Sequence, residues 1–447
     1  MKTITSITYP LFALFAFACF VLSPPLKAQC PSGCNGSSTA LGNGALNPAS
    51  TGINNTAVGA SALGNNTTGG WNVAIGGLAL GNNTTGQQNM AVGAEALATN
   101  IDGNFNMAIG FRALFLNQHG GRNTAVGAAA LRANTASDNT AIGSTALREN
   151  QTGNQNTAVG SGALISNTNG PNNTAVGWQA LASNTGGNDN TAVGKEALAS
   201  TTGAGIEQNT AVGSRALLSN TIGLGNTAVG AGAMANGTEG NANTAIGVNA
   251  LSNVQGSGNI GLGVNAGQNT GLASNVICIG AAGVAVDGSC FIGQIFGKSV
   301  DAATDTPVII DSTGKLGTTT SSQRFKKDIK PMDQASDAIL RLKPVTFHYK
   351  SDPSGVPRFG LVAEDVAKVN PDLIVRDVDG QILSVRYDAV NAMLLNEFLK
   401  AHRQMVEQDK RIEELTAQLK QQAAQIQKVS AQLELRKAAP QTVKNTD

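Results

Sequence analysis

The chain is 447 residues long, 13% charged and 4% aromatic, with 54 glycines and a formal charge of +1. That balance offers no electrostatic attraction to nucleic acid or to an anionic membrane, and neither half has the composition of a conventional enzyme. The average conceals an asymmetry, because residues 51–260 carry 14 charged side chains and residues 321–447 carry 37.

The first 28 residues read as an export signal. Lys2 gives the positive start, an apolar run covers Leu11 to Leu22, and Ala28 in "PLKAQC" is the small residue before a cut. The run is too short and too poorly flanked for a membrane anchor, so no transmembrane segment is expected after signal removal. A lipoprotein cut at Cys19 ("AFAC") is the alternative. Residues 29–50 form a leader holding Cys30 and Cys34, and Cys278 and Cys290 make a second close pair. In an oxidising compartment these give two disulfides; four idle thiols is the competing reading. The cysteine spacings fit no zinc site, and His119, His348 and His402 are scattered. No metal or cofactor is expected.

Residues 51–258 are a repeat array. "NTAVG" or a close variant recurs with its glycine at 59, 76, 93, 110, 127, 143, 160, 177, 194, 213, 230 and 247, and nine of the eleven intervals are 17 residues. "AL" follows three residues after most of these glycines, as at Ala62-Leu63 and Ala163-Leu164, and then "NNTTG" or "SNTGG". The fourth position is always Val or Ile. The second is Thr, replaced by Val73, Met90 and Met107, so these two positions are expected to share an inward face. Ala at the third position marks a place where nothing larger fits, and Asn and Gly supply tight corners. One short strand per unit cannot bury its own face, so the units must stack into a parallel β-roll or solenoid.

A Thr ladder (Thr124, Thr140, Thr157, Thr174) raises ice binding, which the Met and Val replacements argue against because they mark an inward ladder. Phosphate binding lacks a "GKS" or a "GxGxxG" that opens a helix. Sugar stacking lacks aromatics. A stiff spacer needs nothing more than the array. The "NTAVGxxAL" units resemble the head repeats of trimeric autotransporter adhesins, although their unit is commonly shorter than 17 residues. The resemblance implies a roll that associates in threes. The barrel that ends those adhesins has no counterpart here, since this chain closes on a polar helix and "VKNTD".

Residues 259–320 are degenerate repeats ("NIGLG", "VICIG", "FIG") and a β-rich stub, with one or two strands around a turn at Ser312-Thr313-Gly314. Beyond residue 330 the pattern changes. "MDQASDAILRL" reads as a short amphipathic helix, "PVTFHY" as a strand, and "FGLVAEDVAKVNP" as a strand running into a helix. "LIVRDVDGQILSVRY" is a hairpin turning at Asp379-Gly380. From about Asp388 a long helix carries Phe398, Met405, Ile412, Leu419, Ile426 and Leu433 seven apart, a coiled-coil seam. Its companion seam is Ala401, Gln408, Leu415, Gln422 and Val429.

"SSQRFKKDI" and the segment from "FGLVAEDVAKVNP" to "NEFLKAH" resemble the intramolecular chaperone peptidase domain of endosialidase tailspikes, over about residues 321–420. The resemblance implies a domain that drives trimer assembly and then cuts itself off with a Ser-Lys dyad. Carried onto this sequence, the family pattern makes Ser321 the nucleophile, Lys326 the base, Arg324 a supporting residue, and Thr320–Ser321 the scissile bond. Ser322 stands where the family has Asp, so Ser322 with Lys327 is a second register of the same spacing. A serine hydroxyl needs a base to become a nucleophile. A lysine serves as that base only where burial or neighbouring cations favour its neutral form.

The expected organisation is therefore a mainly β, trimeric roll followed by a small α+β chaperone domain at 321–390, a coiled coil at 391–436 and a disordered tail at 437–447. The expected function is an exported, adhesin-like or tail-fibre-like surface protein, extracellular or at the cell surface, facing an unidentified surface ligand or host receptor. Its chaperone is a single-turnover peptidase with no substrate in trans. The alternative is a non-processing fibre that keeps the coiled coil as a permanent clamp.

Overall fold

The structure, a computed structural model, describes residues 37–202, 207–300, 305–311, 313–377 and 379–437. The expected signal, the lipoprotein alternative at Cys19 and the Cys30–Cys34 pair lie outside the described residues. The chain divides into two units between Ser299 and Val300.

The first unit is a β-solenoid. Sixteen three-residue strands, β1 (Thr39–Leu41) through β16 (Cys290–Ile292), form one parallel sheet in strict sequence order. The ladder starts before residue 51 and outlasts residue 258, so the degenerate repeats are further coils of the same stack. Register follows the repeat: Thr140, Ala141 and Ile142 pair with Thr157, Ala158 and Val159. Intervals of 16 and 19 residues keep that register, as in Thr124↔Thr140 and Thr191↔Thr210.

The direction of the strands corrects the sequence expectation. The central Ala points inward and is 0% exposed in every strand from Ala57 to Ala245, while the flanking Thr and Val or Ile point outward, half-buried or exposed. A 17-residue coil encloses a narrow interior. The strand's Ala and the "AL" pair, for example Ala158, Ala163 and Leu164, fill it. The outward β-branched side chains lose solvent to their neighbours one coil away, and this half-burial is why Thr gives way to Val or Met there.

The corners explain the rest of the motif. Leu164 sits at φ 51° and is fully buried. The left-handed conformation costs roughly 1–2 kcal/mol, and burying the side chain returns about 1.5–3 kcal/mol, so burial wins. Gly160 at φ +133° cannot be replaced so cheaply, because a Cβ there would lie 2.4 Å from Gly177 O.

The asparagines are not primarily corner formers. They build two buried hydrogen-bonded ladders. Asn156 Nδ2 donates to Gly170 O (2.9 Å), while Asn156 Oδ1 accepts from Asn173 N in the next coil (2.9 Å). In the second ladder Asn167 Nδ2 donates to Asn150 Oδ1 (2.7 Å) and to Gly170 O (2.9 Å). Among the described residues no buried side-chain nitrogen or oxygen lacks a partner. The buried asparagine amides are thus partnered within the chain, and they take up backbone groups of the turns as they do so.

Cys278 and Cys290 are free thiols. β15 (Ile277–Ile279) and β16 align Cys278 with Phe291 and Ile277 with Cys290. That one-residue offset turns the two side chains to opposite faces, Cys278 buried and Cys290 exposed, so the expected pair is not bridged. Burial pushes the Cys278 thiol up, with a further push from Cys290.

The second unit begins with an antiparallel hairpin, β17 (Val308–Ile310) and β18 (Leu316–Thr318). A 3-10 turn at Gln323–Phe325 follows, then a 3-10 helix at Asp333–Arg341 where an amphipathic helix was expected. Its first carbonyl, Asp333 O, accepts from Asn396 Nδ2 (3.0 Å) and Lys400 Nζ (3.3 Å) of the long helix. β19 (Val345–Phe347) pairs with β20 (Arg358–Gly360), which leads into α1 (Ala363–Val369). β21 (Ile374–Arg376) and β22 (Ile382–Val385) form the expected hairpin around Gly380. α2 (Tyr387–Lys437) is the long helix.

Val366, Leu373, Ile374, Val385 and Met393 make the small core of this unit. Beyond it α2 is bare, and its seam residues from Phe398 to Leu433 are exposed. No helix of the described residues is long and apolar enough to cross a membrane.

Candidate functional site

The composition changes at residues 318–330, and the local chain conformation there is simple. β18 ends at Thr318, four residues follow, of which Ser322 is extended, and the chain tightens into the 3-10 turn at Gln323–Phe325. Phe325 N donates to Ser322 O (3.0 Å) and Lys326 N to Gln323 O (3.0 Å). Lys326 leaves the turn extended, at φ −118° and ψ 146°. One turn thus brings side chains five residues apart onto the same side.

The consequence is a direct contact. Lys326 Nζ lies 3.1 Å from Ser321 Oγ, hydrogen-bond distance for proton transfer between a serine and its base. As an ammonium, Lys326 donates to the hydroxyl; as an amine, it accepts the proton. Ser322 occupies the cap of the turn without a side-chain capping bond, and no hydrogen bond or ion pair joins it to Lys327 among the described residues. Arg324 folds back over the Phe325 ring, 4.6 Å from its centroid, rather than onto the dyad. Thr320, Ser321, Ser322, Arg324 and Lys326 are all exposed.

Two further features of this unit are absent from the sequence reading. One is a polar clasp that fastens the 3-10 helix to α2. Ser336, fully buried, accepts from Asn396 Nδ2 (2.7 Å) and donates to the Glu397 carboxylate. Lys400 Nζ meets both Asp337 Oδ1 and Glu397 Oε1 at 2.5 Å. The Lys400 ammonium holds the Asp337 carboxyl below the usual carboxylate range, and Asp337, then Glu397, hold Lys400 above the usual lysine range. The signal available was the polar run "NEFLK", masked by the heptad seam that passes through it.

The other is an open apolar groove of about 690 Å³, lined by Ile339, Leu342, Val345, Phe359, Tyr387 and Leu394 among others. Tyr387 Oη accepts from Leu361 N (3.1 Å) at its edge. No group of residues suited to hold a metal ion occurs among the described residues.

No curated protein and no solved structure gives a significant match to this chain. The family comparison does: residues 321–375 match the peptidase family described as the chaperone of endosialidase, and the match begins at Ser321. The solenoid that precedes it is consistent with tail-fibre-like repeats. The chain therefore carries, after the solenoid and the β17–β18 hairpin, a segment at residues 321–375 that matches the chaperone-of-endosialidase family.

Proposed function

We propose that this chain is an exported, trimeric, fibre-like surface protein whose C-terminal domain assembles the trimer and then cuts itself free between Thr320 and Ser321. The carrying observation is the 3.1 Å contact of Lys326 Nζ with Ser321 Oγ, at the first residue of the family match.

The steps balance within the chain and one water. Ser321 Oγ attacks the Thr320 carbonyl carbon as Lys326 takes the hydroxyl proton. The C–N bond breaks, Lys326 returns the proton to the departing Ser321 amine, and an ester joins Thr320 to Ser321 Oγ. Water then hydrolyses the ester, leaving a Thr320 carboxylate and the serine hydroxyl. Because nucleophile and carbonyl are neighbours in the chain, the attack gains from proximity.

In a single copy the dyad is exposed. Packing against further copies would exclude water from it, so cutting waits for assembly. Trimerisation draws support from two surfaces that a lone chain leaves open. These are the exposed heptad seam of α2 and the uncharged Thr–Val face of the solenoid sheet. Export rests on the Lys2 and Leu11–Leu22 signal, which predicts a mature chain starting at Gln29.

Intact mass after expression tests the central claim. Wild-type chain should appear as two fragments meeting at Thr320–Ser321, Ser321→Ala as one, and Ser322→Ala as two. A cleaved Ser321→Ala chain overturns the assignment. Uncleaved wild type favours the permanent clamp.

A further inference from the structure

Composition counts against sugar stacking, yet the solenoid places two of its few aromatics in register. One corner of the coil is a column of equivalent positions: Asn54, Trp71, Gln88, Phe105, Arg122 and Asp138. Backbone bonding shows the equivalence. Trp71 N donates to Ile53 O (2.9 Å), Gln88 N to Gly70 O (3.0 Å), Phe105 N to Gln87 O (3.1 Å) and Arg122 N to Asn104 O (2.9 Å). All six residues lie at φ between 58° and 63°. Asn and Asp tolerate that left-handed region, whereas a bulky ring there is an outlier.

Leu164 is also left-handed, but its full burial offsets the strain. Trp71 and Phe105 are each 59% exposed, so the solenoid gains little from holding them there. Two other exposed rings are covered from within: Arg112 lies over Phe111 at 5.0 Å, and Lys195 over Trp178 at 5.3 Å. Neither Trp71 nor Phe105 has a ring or cation stacked on it among the described residues. Backbone strain of this kind gathers at ligand clamps.

The spacing selects the ligand. Trp71 and Phe105 stand two coils apart, about 9.6 Å along the stack, and the exposed Gln88 amide lies at the step between them. An extended β-linked polysaccharide advances by close to one coil rise per sugar, and its successive rings are flipped. Alternate sugars then present the same apolar face to alternate coils, and the hydroxyls of the sugar between them meet an amide. The nearest cation in the column, Arg122, is held by Asp138 through Nε (2.5 Å) and Nη2 (2.8 Å), which leaves no net charge to attract an anionic chain.

We propose that Trp71, Gln88 and Phe105 bind an uncharged, extended β-linked polysaccharide that runs along the solenoid. The two rings are stacking platforms, and Gln88 takes the hydroxyls between them. Binding covers both rings and so offsets, in the complex, the strain that the free chain carries. The site uses neither the Ser321–Lys326 dyad nor the trimer, and holds for a cut or an uncut chain.

Native gels cast with hydroxyethylcellulose or galactomannan test this on the full-length chain, with flexible α-linked dextran and anionic hyaluronate as controls. At least one β-linked polymer should retard wild type, and neither control should. Trp71→Asn and Phe105→Asn install the residue that the column holds at Asn54, so both should unfold at or above the wild-type midpoint and yet bind at least tenfold more weakly. In Trp178→Phe, Trp71 is the only tryptophan left, and its emission should shift to the blue when the retarding polymer is added. Duplicating residues 77–93 moves Phe105 three coils from Trp71 and should abolish retardation, whereas duplicating residues 161–177 should leave it. The proposal is overturned if neither β-linked polymer retards wild type, if dextran or hyaluronate does so equally, or if both Asn variants bind as wild type does. Binding unchanged by the 77–93 duplication also overturns it. So does a lower light-scattering mass in the Asn variants, which would assign the rings to a contact between copies. Should an Asn variant fail to fold, the two duplications decide.

Discussion

Asn156 shows how much of the solenoid rests on single side chains. Its amide serves Gly170 O on one side and Asn173 N on the other, both buried. Asn156→Ala should therefore leave the Asn173 N–H without a partner, while Gly170 O keeps Asn167 Nδ2, at about 1–3 kcal/mol, read as a lowered midpoint in chemical unfolding. Ala158→Leu should cost at least as much, because the coil interior has no room for added methylenes. The sequence shows that both positions are special, since the Ala is invariant and the Asn recurs. It hides which way they point. Thr, Val and Met at one position look like an inward face, yet stacking between coils half-buries an outward face and selects the same residues. Only the width of the coil separates these cases, and no single unit displays it.

At the scale of elements, the clasp between the 3-10 helix and α2 is where stability of the second unit should depend on pH. Asp337 has a lowered native pKa, so its contribution is present above the unfolded carboxyl value near 4 and is lost as pH falls through the native one. Lys400 has a raised native pKa, so its contribution is present below the unfolded lysine value near 10.4 and is lost as pH rises through the native one. Unfolding free energy should therefore be level from about pH 4 to about pH 10 and fall at both ends, and Lys400→Met should flatten both limbs. Ser336→Ala should cost about 1–3 kcal/mol across the range, because the Glu397 carboxylate loses a donor and Asn396 keeps only Asp333 O. The hairpin at Asp379-Gly380, α1 and the long helix are legible from turn residues and periodicity. The clasp is not, because it joins residues about sixty apart through groups that local patterns assign to solvent. The Ser321–Lys326 contact is partly legible, since the spacing is in the sequence but the single turn that closes it is not.

For the whole molecule, the dominant fact is that each coil of the solenoid touches only its neighbours. Stability should then be close to a sum over coils and interfaces. Excising one complete unit, residues 161–177, should leave the sheet in register and lower the unfolding midpoint only slightly. Removing half a unit, residues 161–168, should break the stack, because it moves every inward Ala out of line. Circular dichroism with chemical unfolding separates these outcomes. The second unit has the opposite character: its core is five side chains, while its long seam and leading hairpin stand open. A small core of this kind leaves the unit much apolar surface to bury against a partner.

The tolerance of 16- and 19-residue intervals within one unbroken register has a consequence for how such a protein can change. Sixteen strands make fifteen steps, each about 4.8 Å, so the sheet runs about 70 Å. Reach is thus counted rather than shaped. An in-frame duplication of one unit lengthens it by one step and invents no new kind of contact. Copying can thus tune the length of the solenoid while the sequence of the segment that follows it stays as it is.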